Sequence, residues 1–221
     1  MIDTNKNWLL FDDTSRCFFY EKKFDGDFSK ACWEYDFFCK EIYGFEYSKT
    51  NCIYEMGDVF IEPNDVVVDL GANVGLFTDY AAKKCQKIIA VEGAAQQFSC
   101  LVKNTCENNN VEYLNANIVS EKSKNNFTWG SPVKINITIS DIFDLYDLSY
   151  IDFLKVDIED SEYDVFESID KNLLSRIKKI AIETHDDSRN EKLISDINKE
   201  NFYYFDYHLG GGNKQTTYYF W

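Results

Sequence analysis

The sequence contains few prolines, few histidines and no long apolar run. Two prolines and ten glycines among 221 residues exclude a collagen-like or linker-rich chain. No segment approaches the roughly 18–20 apolar residues that a membrane-spanning helix requires. Because 45% of the residues are hydrophobic, a sizeable core can form, and wholesale disorder is excluded. The length allows one domain with an extension, since domains usually contain roughly 100–200 residues.

Positive charge is also scarce. The chain has 23 Lys and Arg against 38 Asp and Glu, a formal net charge of −15. Such a surface repels phosphate, so we expect neither nucleic acid nor a membrane as partner. The first residues show no leader-like apolar segment, and the seven cysteines form no CxxC pair. These patterns predict a cytoplasmic protein with reduced thiols and no zinc site.

The chain divides into two regions. Residues 1–55 are rich in aromatic side chains interleaved with charge, and we interpret them as an extension of short helices and loops. The aromatic side chains either stack on a sugar ring at the mouth of a pocket or bury a face of the main domain. Residues 56–221 are expected to form that main domain.

In the main domain, short β-branched runs alternate with segments of helical period. Strands are predicted at Val66–Leu70, Lys87–Glu92, Val111–Asn117, Phe153–Ile158 and Ile180–Thr184. Helices are predicted at Val74–Lys84, Ala95–Asn108, Ser161–Leu174 and Glu191–Glu200. This alternation is typical of βαβ units and predicts an α/β fold with a mostly parallel sheet. Two β-rich runs joined by a glycine-rich turn predict an antiparallel hairpin at the C-terminal end.

The segment VVVDLGANVGLF, residues 66–77, combines a buried strand, a glycine-containing turn and a helix. Such a turn lies at the carboxyl end of the first strand, where open α/β sheets bind ligands. Asn73 stands where a dinucleotide motif has its second glycine, and Asp69 adds a negative charge that disfavours a diphosphate. S-adenosylmethionine fits better, because it carries a positive sulfonium and a positive amino group but no phosphate.

Two further residues extend the predicted cofactor site. Glu92 ends the second predicted strand, about 20 positions after Asp69, where a carboxylate that binds ribose is expected. Asn117 ends the third predicted strand and is a candidate for the adenine edge. The predicted cofactor-binding residues are therefore Asp69, Gly71, Asn73, Gly75, Glu92 and Asn117.

These residues resemble the FkbM family of class I S-adenosylmethionine-dependent methyltransferases. The similar segments are VVVDLGANVGLFT (66–78), IIAVEG (88–93), IDFLKVDIEDSEYDVF (151–166) and IAIETH (180–185). The resemblance implies a Rossmann-like, doubly wound sheet of seven strands with an antiparallel final strand. It also implies O-methylation of a carbohydrate or small metabolite. Two departures are a missing glycine in 159–162 and Gly93 at a position where proline is common.

O-methyl transfer needs a group that removes the hydroxyl proton. Asp157 ends the fourth predicted strand and His185 follows the fifth, so neighbouring strands should bring them to one rim. An unperturbed imidazole accepts a proton near pH 6.5, and Asp157 either orients His185 or is itself the base. Glu159 is the third catalytic candidate. Asp160 and Glu162 are interpreted as helix N-terminal acids rather than catalytic residues.

Three alternatives remain open from sequence alone. Asp157, Glu159, Asp186 and Asp187 offer oxygen ligands for a divalent cation, but their spacing matches no known loop, and we expect an acidic rim without metal. An NAD-dependent oxidoreductase is disfavoured by the missing glycine. A non-catalytic binding module with the methyltransferase fold is compatible with the altered segment 159–162.

Overall fold

The computed structural model describes residues 54–124, 135–159, 161–198, 202–208 and 216–221, and the backbone of residues 8–13 and 16–21. The strands are β1 (Trp8–Asp13), β2 (Arg16–Glu21), β3 (Val66–Leu70), β4 (Lys87–Val91), β5 (Val111–Leu114), β6 (Asn117–Ile118), β7 (Asn136–Ile137), β8 (Phe153–Val156), β9 (Ile180–Thr184), β10 (Tyr204–His208) and β11 (Thr216–Phe220). The α-helices are α1 (Leu76–Ala82), α2 (Ala95–Thr105), α3 (Ile139–Leu145), α4 (Glu162–Ser168), α5 (Lys171–Leu174) and α6 (Asp187–Asn198).

Seven strands form the central sheet, in the order β10-β11-β9-β8-β3-β4-β5. The five strands from β9 to β5 are parallel, whereas β11 pairs antiparallel with both β9 and β10. This arrangement confirms the predicted doubly wound α/β sheet and its antiparallel C-terminal hairpin. The chain leaves β3 towards β4 and β5 and then returns to β8 on the other side of β3. The carboxyl ends of β3 and β8 therefore form the topological switch point, where ligands bind in such folds.

The central strands are mostly apolar, and the sheet is buried on both faces. Neighbouring residues of β3 alternate between two cores: Val67 packs with α1 and with residues 54–61, whereas Val68 packs with α3, α4 and α6. Both side chains are fully buried. Continuous apolar strands of this kind are typical of parallel sheets covered by helices on each side. None of the helices that the structure describes combines the length and the apolar character needed to span a membrane.

Several boundaries differ from the sequence-based expectations. The interpretation of residues 1–55 as helices and loops is wrong at β1 and β2, which pair antiparallel. Each strand has four consecutive apolar residues without the alternation that signals a half-buried strand, but only two residues separate the two strands, a spacing typical of a hairpin. The rest of residues 1–53 lies outside the described part, and a domain boundary at residue 55 stays a prediction.

Two predicted elements of the main domain are each divided in the structure. The third predicted strand ends as β5 at Leu114, and Asn117 begins the separate strand β6, which pairs with β7. The predicted helix over 161–174 consists of α4 and α5. It is interrupted because Ile169 and Asp170 are extended, and the Asp170 carboxylate accepts hydrogen bonds from the first N–H groups of α5.

Candidate active site

The loop after β3 is shaped by residues with left-handed backbone angles. Gly71, Asn73 and Gly75 have φ values of 75°, 50° and 93°. A Cβ on Gly71 would collide with the carbonyl oxygen of Asp157 at the end of β8. The N–H groups of Gly71 and Ala72 both donate to the carbonyl oxygen of Val91 at 3.0 Å. The loop is thus fixed between the ends of β4 and β8.

Glu92 joins this loop to the segment that follows β4. One carboxylate oxygen accepts a hydrogen bond from the Asn73 N–H at 2.8 Å, and the other accepts one from the Ala94 N–H at 2.6 Å. Burial raises the pKa of Glu92, and the two backbone donors oppose that rise. Since a carboxylate has about four acceptor sites, two backbone bonds leave capacity for a pair of ribose hydroxyls.

Asn117 lies beside Glu92, and the position of its side chain explains one departure from the family pattern. Its amide nitrogen donates to the side-chain oxygen of Asn136 at 3.1 Å. A Cβ on Gly93 would collide with the Asn117 side-chain oxygen. Gly93, which replaces the common proline, therefore leaves the space that Asn117 occupies.

A cavity of about 430 Å³ opens at the switch point. Among the described residues, its walls are formed by Gly71, Val91, Glu92, Gly93, Ala94, Ala116, Asn117, Ile118, Val119, Asp157, Ile158, Glu159 and Ser161. The volume falls in the range of small-molecule sites, about 300–1,000 Å³. These lining residues include three acids and no lysine or arginine, which suits a cationic cofactor such as S-adenosylmethionine and disfavours a diphosphate.

Five of the nine predicted site residues thus line one cavity: Gly71, Glu92, Asn117, Asp157 and Glu159. Asn73 contacts Glu92 through its backbone. Gly75 instead allows close packing against Leu101 of α2. Asp69 is not among the lining residues that are described, and His185 lies beside Asp157 rather than on the cavity wall.

Asp69 belongs to a buried ionic network beneath the loop. One of its oxygens accepts from the Thr78 hydroxyl at 2.6 Å, and the other lies 3.3 Å from Lys155 Nζ. Burial raises the pKa of Asp69. Lys155 also donates to the carbonyl oxygen of Gly71 at 2.8 Å and lies 3.5 Å from the Asp157 carboxylate. The charges of Asp69 and Asp157 raise the pKa of Lys155 despite its burial, so it stays protonated.

The sequence reasoning missed Lys155. A signal was available, because Lys155 and Asp69 are charged residues inside otherwise apolar strands, and buried charges are normally paired. The parallel register places these two residues opposite each other. Lys155 therefore connects the loop after β3 to Asp157 at the end of β8.

His185 is surrounded by carboxylates. Its Nε2 atom lies 3.8 Å from one oxygen each of Asp157 and Glu159, and Nδ1 lies 3.3 Å from an oxygen of the fully buried Glu162. The bond to Glu162 and the surrounding negative charge outweigh burial and raise the pKa of His185 to about 9. At pH 7 the ring is therefore an imidazolium, not the neutral acceptor that its ordinary pKa suggests.

The other acidic residues near His185 have different contacts. Glu162 begins α4, as expected for a helix N-terminal acid, but its contact with His185 was not anticipated. Asp157, Glu159 and His185 each offer a ligand atom within 4.8 Å of the others. Asp186 instead accepts from the N–H of Ser188 in the first turn of α6. Asp160 and the Asp187 side chain lie outside the described part of the structure.

Two buried residues that sequence reasoning missed, Tyr54 and Glu183, lie beside Asp157. The Tyr54 hydroxyl lies 2.8 Å from an oxygen of Glu183 and 3.2 Å from an oxygen of Asp157. Burial, reinforced by the charge of Asp157, raises the pKa of Glu183 to about 7. Through its hydroxyl, Tyr54, which lies before β3 in the chain, thus contacts carboxyl groups on β9 and at the end of β8.

Comparisons with known proteins agree with this architecture. The family model of the methyltransferase FkbM domain matches residues 69–203, more than half of the chain. The chain resembles the crystal structure of methyltransferase FkbM from Methylobacillus flagellatus KT, with a TM-score of 0.57 and 19% identity. That match covers 75% of this chain and 45% of the other. No curated protein matches the chain.

Two further structures share the fold at similarly low identity. M. jannaschii TYW2, solved in complex with AdoMet, has a TM-score of 0.51 and 14% identity, with coverage of 97% of this chain and 85% of the other. An rRNA methylase from Streptococcus thermophilus has a TM-score of 0.51 and 15% identity, with coverage of 72% and 87%. The family match, the sheet order and the cavity at the switch point agree, and the chain belongs to the FkbM family of class I S-adenosylmethionine-dependent methyltransferases.

Proposed function

We propose that the protein transfers a methyl group from S-adenosylmethionine to a hydroxyl oxygen of a carbohydrate or another small metabolite. One observation carries this proposal: Glu92, Asn117, Asp157 and Glu159 all line a single cavity. Two groups suited to a nucleoside thus share that cavity with two groups suited to a hydroxyl acceptor.

The cofactor half uses Gly71, Asn73, Glu92 and Asn117. Glu92 would accept hydrogen bonds from the ribose hydroxyls, and Asn117 would contact the adenine edge. When bound, S-adenosylmethionine supplies an electrophilic methyl group on a positive sulfonium. The carboxylates on the cavity wall favour that charge, because opposite charges attract strongly in a partly buried site.

Asp157 is the better candidate for the base. His185 is protonated at neutral pH, so it cannot accept the proton of the hydroxyl, whereas the Asp157 carboxylate lies on the cavity wall with 23% of its side chain exposed. One Asp157 oxygen contacts Tyr54 and Lys155, and the other faces His185 Nε2. As the acceptor oxygen attacks the methyl carbon, its proton would pass to Asp157, and the imidazolium would orient that carboxylate.

The charge of the rim also disfavours an anionic acceptor. Asp157, Glu159, Glu162 and Glu183 surround one imidazolium. A phosphorylated acceptor would be repelled here, whereas sugar hydroxyls can donate to carboxylates. The fold shared with an rRNA methylase carries no argument for a nucleic-acid acceptor, because the two chains are only 15% identical.

The decisive experiment is a methyl-transfer assay with labelled cofactor and a panel of neutral glycans, an amino sugar, sugar phosphates and a short RNA. We expect product on a neutral or amino sugar and little on the phosphorylated compounds. Transfer to RNA alone would refute the acceptor assignment. Cofactor binding without product on any acceptor would support the non-catalytic binding module instead.

Cofactor binding is tested separately with Glu92→Ala. We expect the dissociation constant for S-adenosylmethionine, measured by calorimetry, to rise about tenfold or more, because charged hydrogen bonds contribute roughly 1.5–3 kcal/mol. Glu112→Ala is the matched control, since Glu112 is an exposed acid on β5. An equal affinity in both variants would remove Glu92 from the ribose site.

A further inference from the structure

We propose that Tyr54 is a positioning residue for the base Asp157, and that in the reactive state the carboxyl groups of Glu183 and Asp157 hold one proton between them, with the Tyr54 hydroxyl bridging them. This inference rests on the proposed function. It assigns a role to a residue outside the segment 69–203 that the family model matches.

The contacts around Tyr54 hold its hydroxyl in one place. The side chain is 1% exposed. Its ring packs edge-on against Phe77, with centroids 5.4 Å apart, and Lys155 Nζ lies 5.1 Å from its centre. With the ring fixed, the oxygen lies within hydrogen-bond distance of carboxylate oxygens of both Asp157 and Glu183.

The two contacts of the Tyr54 hydroxyl require one of the two carboxyl groups to be protonated. A phenol has one proton to donate, so it cannot donate to two ionised carboxylates at once. Both contacts become hydrogen bonds when Glu183 is protonated: Glu183 donates to the Tyr54 oxygen, and Tyr54 donates to Asp157 Oδ2. Glu183 is the better proton holder because it is 1% exposed, whereas the Asp157 side chain is 23% exposed.

This arrangement orients the Asp157 carboxyl group. Its Oδ2 atom contacts Tyr54 and Lys155, and its Oδ1 atom lies 3.8 Å from His185 Nε2. As the acceptor oxygen replaced sulfur on the methyl carbon, the hydroxyl O–H bond would break and its proton would pass to Oδ1 of Asp157; bound S-adenosylmethionine would supply the methyl group and give up its C–S bond. The proton on Glu183 stays in place throughout.

The charges that face Glu183 set the pH at which this state exists. They come from Asp157 and Lys155 at the end of β8 and from His185 after β9, and Tyr54 contacts Glu183 from the preceding segment. Burial and the charge of Asp157 raise the pKa of Glu183 to about 7, against the other three groups. Above that pH Glu183 loses its proton, and the Tyr54 hydroxyl turns to the nearer Glu183 carboxylate, so that Asp157 loses its donor.

Tyr54→Phe tests the positioning role. We expect kcat to fall at least tenfold, while affinity for S-adenosylmethionine changes less than twofold, because Tyr54 is not among the described residues that line the cavity. Tyr113→Phe is the matched control, since its hydroxyl contacts only the neutral Thr105 among the contacts that the structure gives. Unchanged kcat in Tyr54→Phe, or an equal loss in both variants, would overturn the assignment.

Glu183→Gln tests the shared proton. Glutamine can donate an N–H to the Tyr54 oxygen at any pH, so we expect near wild-type activity at pH 6 and no decline above pH 7, where the wild-type rate falls. Persistence of that decline in Glu183→Gln would refute the shared proton, even if Tyr54→Phe failed to fold.

A titration needs no acceptor and separates this inference from the proposed function. With ¹³C-labelled glutamate carboxyl groups, NMR identifies Glu183 by the signal that Glu183→Gln removes. Tyr54→Phe should raise the pKa of that signal by about one unit or more, because the carboxylate loses a donor. An unmoved signal would refute proton sharing, whereas absence of methyl transfer in the wild type would refute only the proposed function.

Discussion

The protonation state of His185 decides which residue is the base, and Glu162→Gln tests it directly. Glu162 is fully buried, and its carboxylate lies 3.3 Å from His185 Nδ1. That bond is the largest cause of the rise that brings the pKa of His185 to about 9. Charged hydrogen bonds contribute roughly 1.5–3 kcal/mol, and one pKa unit corresponds to about 1.36 kcal/mol. The variant should therefore lower the pKa of His185 by about 1–2 units.

The measurement is an NMR titration of the imidazole signals. The chain has two histidines, so His208→Gln assigns the remaining signal to His185. In the wild type this signal should titrate near pH 9, and in Glu162→Gln it should titrate between about pH 7 and 8. A wild-type midpoint near 6.5 would refute the reasoning and would return His185 to the role of base.

The same shift predicts how stability depends on pH. A folded-state pKa of about 9 against an unfolded value of roughly 6.5 contributes about 3 kcal/mol below pH 6.5, and this contribution is lost as pH rises through 9. Glu183 acts in the same direction: because its pKa is raised to about 7, its contribution makes the fold less stable as pH rises from about 4.5 to 7. Between pH 7.5 and 9, urea unfolding should therefore show a loss of about 1.5 kcal/mol that is absent in His185→Gln.

Two further predictions concern the cofactor side. Lys155→Met leaves the charges of Asp69 and Asp157 without their buried cation. In urea denaturation this change should lower the free energy of unfolding by about 3–5 kcal/mol. Adding Asp69→Asn should recover part of that loss, and no recovery would argue against the ion pair. Gly93→Ala should displace the Asn117 side chain and weaken cofactor binding several-fold by calorimetry. In an Asn117→Ala background, Gly93→Ala should reduce cofactor affinity much less. An equal reduction in both backgrounds would show that Gly93 does not act through Asn117.

The elements that sequence predicts well are those whose signal is local. Val66–Leu70 and Ile180–Thr184 are runs of five residues that are mostly apolar, and each is a strand of the central sheet. The cofactor loop is equally local, because left-handed angles at Gly71 and Gly75 belong to a short turn between a strand and a helix. Residues 1–55 lack such a pattern, and the strands β1 and β2 were therefore missed.

The acceptor side depends on contacts that no local pattern encodes. Tyr54 and Asp157 are 103 positions apart, and Tyr54 and Glu183 are 129 apart. For Glu183 the sequence predicts a position in a strand but no role in the site. His185 was identified from its location at a strand end, but its charge depends on Glu162, which is 23 positions earlier on α4. Sequence therefore predicts which strand ends meet, whereas the charge and protonation of each side chain depend on contacts that only the packed structure shows.

Lys155 explains why Asp69 belongs to the cofactor motif although no described contact places it on the cavity wall. Asp69 fixes the ammonium group of Lys155, and that group donates to Gly71 in the loop and also faces Asp157. A shift of the loop when the cofactor binds would change the field at Asp157 through a single buried cation. Because Lys155 is 2% exposed, water cannot screen that field effectively. The loop after β3 and the proposed base Asp157 thus contact the same buried charge, and Asp69 holds that charge in place.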